Sequence, residues 1–123
     1  MEKELITNLT DEENIILIYS TTKYSKNADK KYLNYTIVCD LDSVISNFNL
    51  CKKIIATMEI IKELVSKYNI CFSYKIKTCN EFDREVSENH QKFTHELATA
   101  QILHCKDQYI DKLIEESKSK RRG

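Results

Sequence analysis

Two aspartates separated by one residue, Asp40 and Asp42, form the sharpest chemical pattern in the chain. They follow residues 35–39, a β-branched apolar segment that predicts a buried strand. Two carboxylates at the end of a strand can bind Mg²⁺, or can serve as nucleophile and general acid or base. They can equally lie at the start of a helix, where the helix dipole favours negative charge. The sequence leaves both interpretations open.

A polar segment, residues 20–34, holds a second group of side chains that could bind a ligand. The hydroxyl and ammonium groups that could contact phosphate belong to Ser20, Thr21, Lys23 and Lys26. Tyr24 and Tyr32 lie among the lysines of this segment, and such a mixture can grip phosphates and stack bases. We expect a long loop here, and loops of this length are often functional. A solvated loop that binds nothing is the competing interpretation.

The absence of internal glycine excludes several common nucleotide sites. The one glycine is Gly123, and the chain has no proline. Loops that cradle phosphates use glycine for close backbone approach and for positive φ. A P-loop, a dinucleotide-binding fingerprint and a nucleophile elbow are therefore not expected. The formal net charge is +0, which predicts no global attraction to nucleic acid or to a membrane.

Length and composition predict one ordinary domain. The 123 residues are 41% hydrophobic and 31% charged, which suits a chain with a single core. We expect this domain at residues 1–117 and a basic, disordered tail at 118–123. The odd number of cysteines, without a Cys-x-x-Cys pair, predicts reduced thiols and a cytoplasmic location. No segment predicts a membrane span or a signal peptide, and the three histidines match no zinc-ligand spacing.

Hydrophobic periodicity predicts an α/β fold, in which a small mixed β-sheet of three or four strands is packed by helices. The predicted element order is α-β-β-α-β-α-α. Its strands are expected at 15–19, 35–39 and 70–77, and its main helices at 44–68 and 80–104. His104 is expected on the apolar side of the second of these helices.

The helix at 44–68 is predicted by apolar residues that recur at steps of three or four. Its stripe consists of Val44, Phe48, Cys51, Ile55, Met58, Ile61, Val65 and Tyr68, and is widened by Leu50, Ile54 and Leu64. Asn69 is expected to end the helix in the left-handed conformation. Residues 70–77 then alternate, which predicts an edge strand with Lys75 and Lys77 on its exposed side. Thr78 and Glu81 have the spacing of a capping box for the next helix.

The segment from Ile37 to Val44 resembles the first motif of haloacid dehalogenase-like phosphotransferases. The resemblance would make Asp40 and Asp42 the nucleophile and the acid/base of a Mg²⁺-dependent enzyme. Ser43 replaces the usual glycine, and no acidic pair follows on a later strand. These departures separate the chain from that family.

The element order and several local patterns resemble the minimal nucleotidyltransferase domain of the DNA polymerase β type. Leu17-Ile18-Tyr19-Ser20 corresponds to the strand that ends in Gly-Ser in that family, and 33–38 to the strand bearing Asp-x-Asp. Residues 70–76 correspond to the third strand, which carries another aspartate. The closing segment is matched by Glu81-Phe82 and by residues 93–104. The similarity covers most of residues 5–105.

The resemblance implies that catalysis has been lost. Tyr19 stands in place of the glycine, and the two metal-binding aspartates fall on Asn34 and Thr36. The third strand offers Cys71 or Ser73 where a carboxylate is needed. Two divalent ions require several oxygen anions, which these positions do not supply. No metal cofactor is therefore expected.

The expected function is that of a binding or regulatory module for a protein partner, either antitoxin-like or as a subunit of a complex. A homo-oligomer and weak nucleotide or nucleic-acid contact are compatible with this role. The retained ligand site would comprise Ser20, Thr21, Lys23 and Lys26, unless Tyr19 fills the former pocket and the surface serves as a protein interface. The alternative is a Mg²⁺-dependent phosphotransfer or nucleotidyl-transfer enzyme that uses Asp40 and Asp42.

Overall fold

The computed structural model describes residues 2–10, 14–25, 30–40 and 48–112. Its first elements are α1 (Glu2–Thr10), β1 (Ile15–Tyr24), β2 (Lys31–Cys39), α2 (Phe48–Ser66) and β3 (Ile70–Thr78). They are followed by α3 (Cys79–Glu88), α4 (His90–Thr99), β4 (Gln101–Cys105) and a 3₁₀ turn (Lys106–Gln108).

The strands form one mixed sheet in the order β3-β2-β1-β4. β1 and β2 form an antiparallel hairpin, and β4 pairs antiparallel with the other side of β1. β3 runs parallel to β2 because α2 provides the crossover connection between them. The predicted fold class, a small mixed sheet packed by helices, is confirmed.

One face of the sheet is covered by α1 and α2. Leu9 from α1 and Ile54, Met58 and Ile61 from α2 are almost completely buried there. They pack against strand residues that all point to this side, namely Ile15, Ile18, Tyr35, Ile37 and Cys39. This layer holds the larger of the two hydrophobic clusters.

α3 and α4 cover only part of the other face. Phe82 and Val86 from α3, with Phe93 and Leu97 from α4, pack on the sheet. Their strand partners are Leu17, Tyr19 and Val38. Both helices are ten residues long, or about 15 Å at 1.5 Å per residue. The remaining part of this face carries polar side chains.

Several local predictions between residues 66 and 82 are confirmed. Asn69 has a φ of 57°, as expected for the left-handed residue that follows the helix. β3 alternates between half-buried and exposed side chains and lies at the edge of the sheet. Thr78 caps α3 by accepting a hydrogen bond from the Glu81 backbone amide, and the Glu81 side chain completes the capping box.

Two predictions of element type are wrong. The expected loop at 20–34 is mostly strand, because β1 and β2 continue to pair as far as Tyr24 and Lys31. The expected helix at 80–104 divides into α3, α4 and β4, and His104 lies on β4 rather than on a helix. In both segments backbone pairing overrides the local pattern, within the β1–β2 hairpin in the first and between β4 and the distant β1 in the second.

The predicted stripe of the long helix is correct in part. Its members Leu50, Ile54, Met58 and Ile61 face the sheet, whereas Ile55 is 43% exposed. The predicted stripe is wider than the buried face, because exposed apolar residues of this helix share the same helical spacing. Residues 44–47 and the predicted tail at 118–123 lie outside the described residues.

Two isoleucines of α2 test this assignment of faces. Ile61→Ala should lower the free energy of unfolding by about 2–5 kcal/mol, because it removes a buried side chain from the core. Ile55→Ala removes the same atoms from the solvent side of the same helix and should cost less than about 1 kcal/mol. Urea unfolding followed by circular dichroism measures both, and equal losses would contradict the assignment.

Candidate functional site

A polar surface built from three strands extends from the edge of α3 and α4 across the uncovered part of the second face. Register places Lys23, Tyr32 and Cys71 in one row across the sheet. Thr21, Asn34 and Ser73 form the next row, and Tyr19, Thr36 and Lys75 form the third. We call this surface, from the row of Lys23 to the row of Lys75, the polar sheet face. Residues directly opposite each other on paired strands point to the same side, so the rows share one surface.

A cavity of about 450 Å³ lies where this face meets α3 and α4. Its sheet side is formed by Thr21, Asn34, Thr36, Ser73 and Lys75, and its helical side by Glu85, Asn89, Lys92, Phe93 and Glu96. A cavity of this size can hold a small metabolite. Because hydroxyl, amide and ammonium groups converge in it, the cavity suits a polar ligand rather than an apolar one.

The charges around the cavity are unequal. Among the residues that the structure describes, it is bordered by four lysines, Lys23, Lys75, Lys77 and Lys92, and by two glutamates, Glu85 and Glu96. Lys77 forms an ion pair with Glu85, and its ammonium lies 5.8 Å from the centre of the Phe93 ring. Within the described ranges, no carboxylate pairs with Lys23, Lys75 or Lys92. The cavity therefore carries excess positive charge that an anion could neutralise.

The sheet side of the cavity supplies neutral oxygen and nitrogen groups. The Ser73 hydroxyl donates a hydrogen bond to Oδ1 of Asn34 across the β2–β3 pair. Thr36 is almost fully buried beside them and hydrogen-bonds the Tyr19 hydroxyl. This network fixes the side-chain directions at the base of the cavity without placing a negative charge there.

Tyr19 is buried under the helices but does not fill the cavity. It is 1% exposed, and its ring centre lies 6.2 Å from that of Phe82. Burial raises the pKa of the Tyr19 hydroxyl from 10.0 to about 12; the hydrogen bond with Thr36 opposes this shift, and the charges of Glu96 and Glu85 reinforce it. The hydroxyl therefore remains protonated and neutral across the physiological range.

The structure separates the ligand residues expected from the sequence. Thr21 and Lys23 line the cavity. Ser20 is buried on the opposite face, in register with Tyr35. Lys26 lies outside the described residues.

The acidic pair is separated from the cavity as well. Asp40 is exposed just beyond the end of β2, and its amide donates a hydrogen bond to the Asn14 carbonyl at 2.7 Å. Asp42 lies outside the described residues. Asp40 thus lies about 13 Å along the strand direction from the row of Thr36, at roughly 3.3 Å per residue.

The sequence does not predict that residues of the sheet and of α4 meet in one cavity. The alternation of β3 placed Ser73, Lys75 and Lys77 on one side, but it gave no reason to join them to Lys92 and Glu96 on α4. Only the parallel pairing of β2 with β3 and the packing of Phe93 bring these groups together.

Among the described side chains, the cysteines and histidines offer no comparable site. Burial raises the pKa of the Cys39 thiol to about 12 and also raises the pKa of the Cys79 thiol, which disfavours the nucleophilic thiolate. Nε2 of His104 lies 3.3 Å from the carbonyl oxygen of Ile15. In the part of the chain that the structure describes, no group of three or more His, Cys, Asp or Glu side chains could hold a metal ion.

No protein-family model matches this chain, and comparisons with curated proteins and with solved structures gave no significant match. Among the described helices, none is both long and apolar enough to cross a membrane.

Alkaline titration tests the environment of Tyr19. Because its pKa is higher in the folded chain, Tyr19 contributes stability that is complete below pH 10 and is lost as the pH rises through 12. Between pH 10 and pH 12, the unfolding free energy of Tyr19→Phe should therefore fall by about 2 kcal/mol less than that of the natural chain. Urea unfolding at several pH values measures this slope. Tyr24→Phe, at a 74% exposed position, is the control, and an equal flattening in that variant would contradict the assignment.

Proposed function

We propose that this chain is a nucleotidyltransferase-like protein without metal-dependent catalysis, and that it acts as a binding module for a phosphate-bearing ligand held in the sheet cavity. One observation carries the proposal. Asn34 and Thr36, where the resemblance expects the two aspartates, lie at the base of the cavity together with Ser73, one of the two residues it offers for the third carboxylate. The resemblance aligns these residues from two separate strands, β2 and β3, and they lie in adjacent rows of the polar sheet face.

The chemistry of these residues favours direct anion binding. Carboxylates at the three positions would attract divalent cations, whereas an amide and two hydroxyls are neutral and can hydrogen-bond a phosphate. Lys75 and Lys92 approach the cavity from the sheet and from α4, and Lys23 lies along the strand from Thr21. Ammonium groups from three elements can therefore neutralise a phosphate without a bridging metal ion.

The absence of glycine limits the strength of this binding. No glycine lies in the described elements, so the backbone cannot wrap a phosphate as closely as a glycine-rich loop does. The contacts are made by flexible lysine side chains, each exposed at least in part. We therefore expect weak affinity that falls steeply with ionic strength and does not depend on Mg²⁺.

Phosphate binding is tested by calorimetry with nucleoside monophosphates and inorganic phosphate in the presence of EDTA. Lys75→Ala and Lys92→Ala should each weaken binding several-fold, because each removes a charge-assisted contact. Lys62→Ala is the matched control, since Lys62 is exposed on α2 in the opposite layer. Binding that requires Mg²⁺, or that responds equally to all three changes, would contradict the proposal.

Restoring the carboxylates tests the correspondence of positions. The triple variant Asn34→Asp, Thr36→Asp and Ser73→Asp should bind Mg²⁺ or Mn²⁺, whereas the natural chain should not, because three adjacent carboxylates supply the oxygen anions that these ions need. Calorimetry with each metal ion measures the gain. Circular dichroism establishes that the variant is folded, and a folded variant without metal affinity would contradict the correspondence.

A second candidate function, contact with a protein partner, is favoured by the outer surface of α2. Phe48 is 66% exposed and Ile55 is 43% exposed, two helical turns apart on one side of the helix. Large exposed apolar side chains often mark interaction sites. This surface lies in the layer opposite the cavity, so a partner and a phosphate-bearing ligand could bind together.

The partner surface is tested by Phe48→Lys and Ile55→Lys. Each should abolish copurification of a specific protein from the native host, or reduce self-association measured by light scattering, because a charge is introduced into an apolar contact. Lys75→Ala, on the other layer, should change neither. If both α2 variants behave like the natural chain, this surface is not the contact site.

A further inference from the structure

The polar sheet face continues beyond the cavity toward the end of the β1–β2 hairpin. The row of Thr21, Asn34 and Ser73 is followed by the row of Lys23, Tyr32 and Cys71. Two residues along a strand correspond to about 7 Å. The distance from the row of Lys75 to that of Lys23 is therefore about 13 Å along the strands. This surface is longer than the cavity itself.

Tyr32 is the aromatic side chain on this extension. It is 40% exposed and stands directly opposite Lys23, so both side chains point to the side that carries Thr21 and Asn34. Tyr24 is 74% exposed but pairs with Lys31 on the reverse side, where the Lys31 ammonium lies 5.9 Å from the Tyr24 ring centre. The hairpin thus presents one exposed tyrosine to each face.

Away from the helices, the charged side chains of the polar sheet face are all positive. Lys23 and Lys75 lie in its outer and inner rows, and the strand positions between them are neutral. The two glutamates that border the cavity, Glu85 and Glu96, are on α3 and α4, and Glu85 is paired with Lys77. A chain of phosphates that left the cavity along the strands would meet lysines and hydroxyls but no carboxylate within the described sheet.

We infer that the polar sheet face binds single-stranded nucleic acid, with one phosphate in the sheet cavity, the next near Lys23, and a base stacked on the Tyr32 ring. The inference rests on the proposed function, since the cavity supplies the first phosphate contact. A row of cations beside an exposed aromatic ring is the arrangement that binds unpaired bases without sequence preference. A duplex is disfavoured, because its bases are already stacked and α3 and α4 project beside the face.

The inference is tested by fluorescence anisotropy with a labelled oligo(dT) of about 12 nucleotides. Tyr32→Ala should weaken binding roughly fivefold or more, because it removes one base stack, and Tyr32→Phe should retain it. Tyr24→Ala is the matched control and should leave the affinity unchanged. If Lys23, Lys75 and Lys92 each contact a phosphate, the slope of log affinity against log salt should be roughly −2. Lys75→Ala should reduce that slope, and Lys62→Ala should not.

The same titrations with dTMP, inorganic phosphate and polyglutamate separate the outcomes. Oligo(dT) that binds more tightly than dTMP, with affinity lost in Tyr32→Ala but retained in Tyr32→Phe and Tyr24→Ala, supports the inference. Oligo(dT) that binds no more tightly than dTMP overturns the inference but leaves the proposed function intact. Polyglutamate that binds as tightly as oligo(dT), with no effect of Tyr32→Ala, identifies a general polyanion surface and also overturns it. If dTMP and inorganic phosphate fail to bind at all, the proposed function fails as well.

Discussion

The packing of Phe82 against the sheet is the interaction on which the cavity depends. Phe82 is completely buried, and its ring centre lies 6.2 Å from Tyr19, 5.7 Å from Phe93 and 6.2 Å from Tyr109. It therefore joins β1, α4 and the segment after β4 in one aromatic cluster. Such contacts are worth about 0.5–1.5 kcal/mol per pair beyond the area they bury. α3 begins at its cap residue, Thr78. The aromatic cluster therefore also fixes how far α3 and α4 extend over the sheet.

The edge of the area covered by α3 and α4 determines which side chains the strands carry on this face. Under α3 and α4 the strands carry Leu17, Tyr19 and Val38, and beyond the helices the same faces carry threonine, asparagine, serine and lysine. A strand that is covered at one end and open at the other needs this change, because a buried polar group without a partner costs about 1–3 kcal/mol. Tyr19 and Thr36 lie at the boundary and satisfy each other by a hydrogen bond. The boundary between core and solvent on this face is therefore also the inner edge of the cavity.

The sequence contained enough information to predict the elements that depend on local contacts. The alternation of residues 70–77, the capping box of Thr78 and Glu81, and the left-handed Asn69 each involve neighbours within a few residues. The structure has all three. β4 was missed because Leu97, Ala100 and His104 continue a helical spacing, whereas its strand conformation comes from pairing with β1, as between Leu17 and Cys105. The polar ends of β1 and β2 have the composition of a loop, but backbone pairing within the hairpin extends both strands through them.

The candidate site was predictable only in part because its residues come from four elements. Thr21 and Lys23 were recognised from their own segment, but Lys75 had only the signature of an exposed edge strand, and Lys92 had no signal in the sequence. The crossover through α2 places β3 beside β2, and this alone aligns Ser73 with Asn34 and Lys75 with Thr36. The positive charges of these lysines then add together in one cavity. The groups at its base are neutral, so no acid on the described sheet surface balances that charge. An anion bound from solution would balance that charge, because the described sheet residues that line the cavity include no carboxylate.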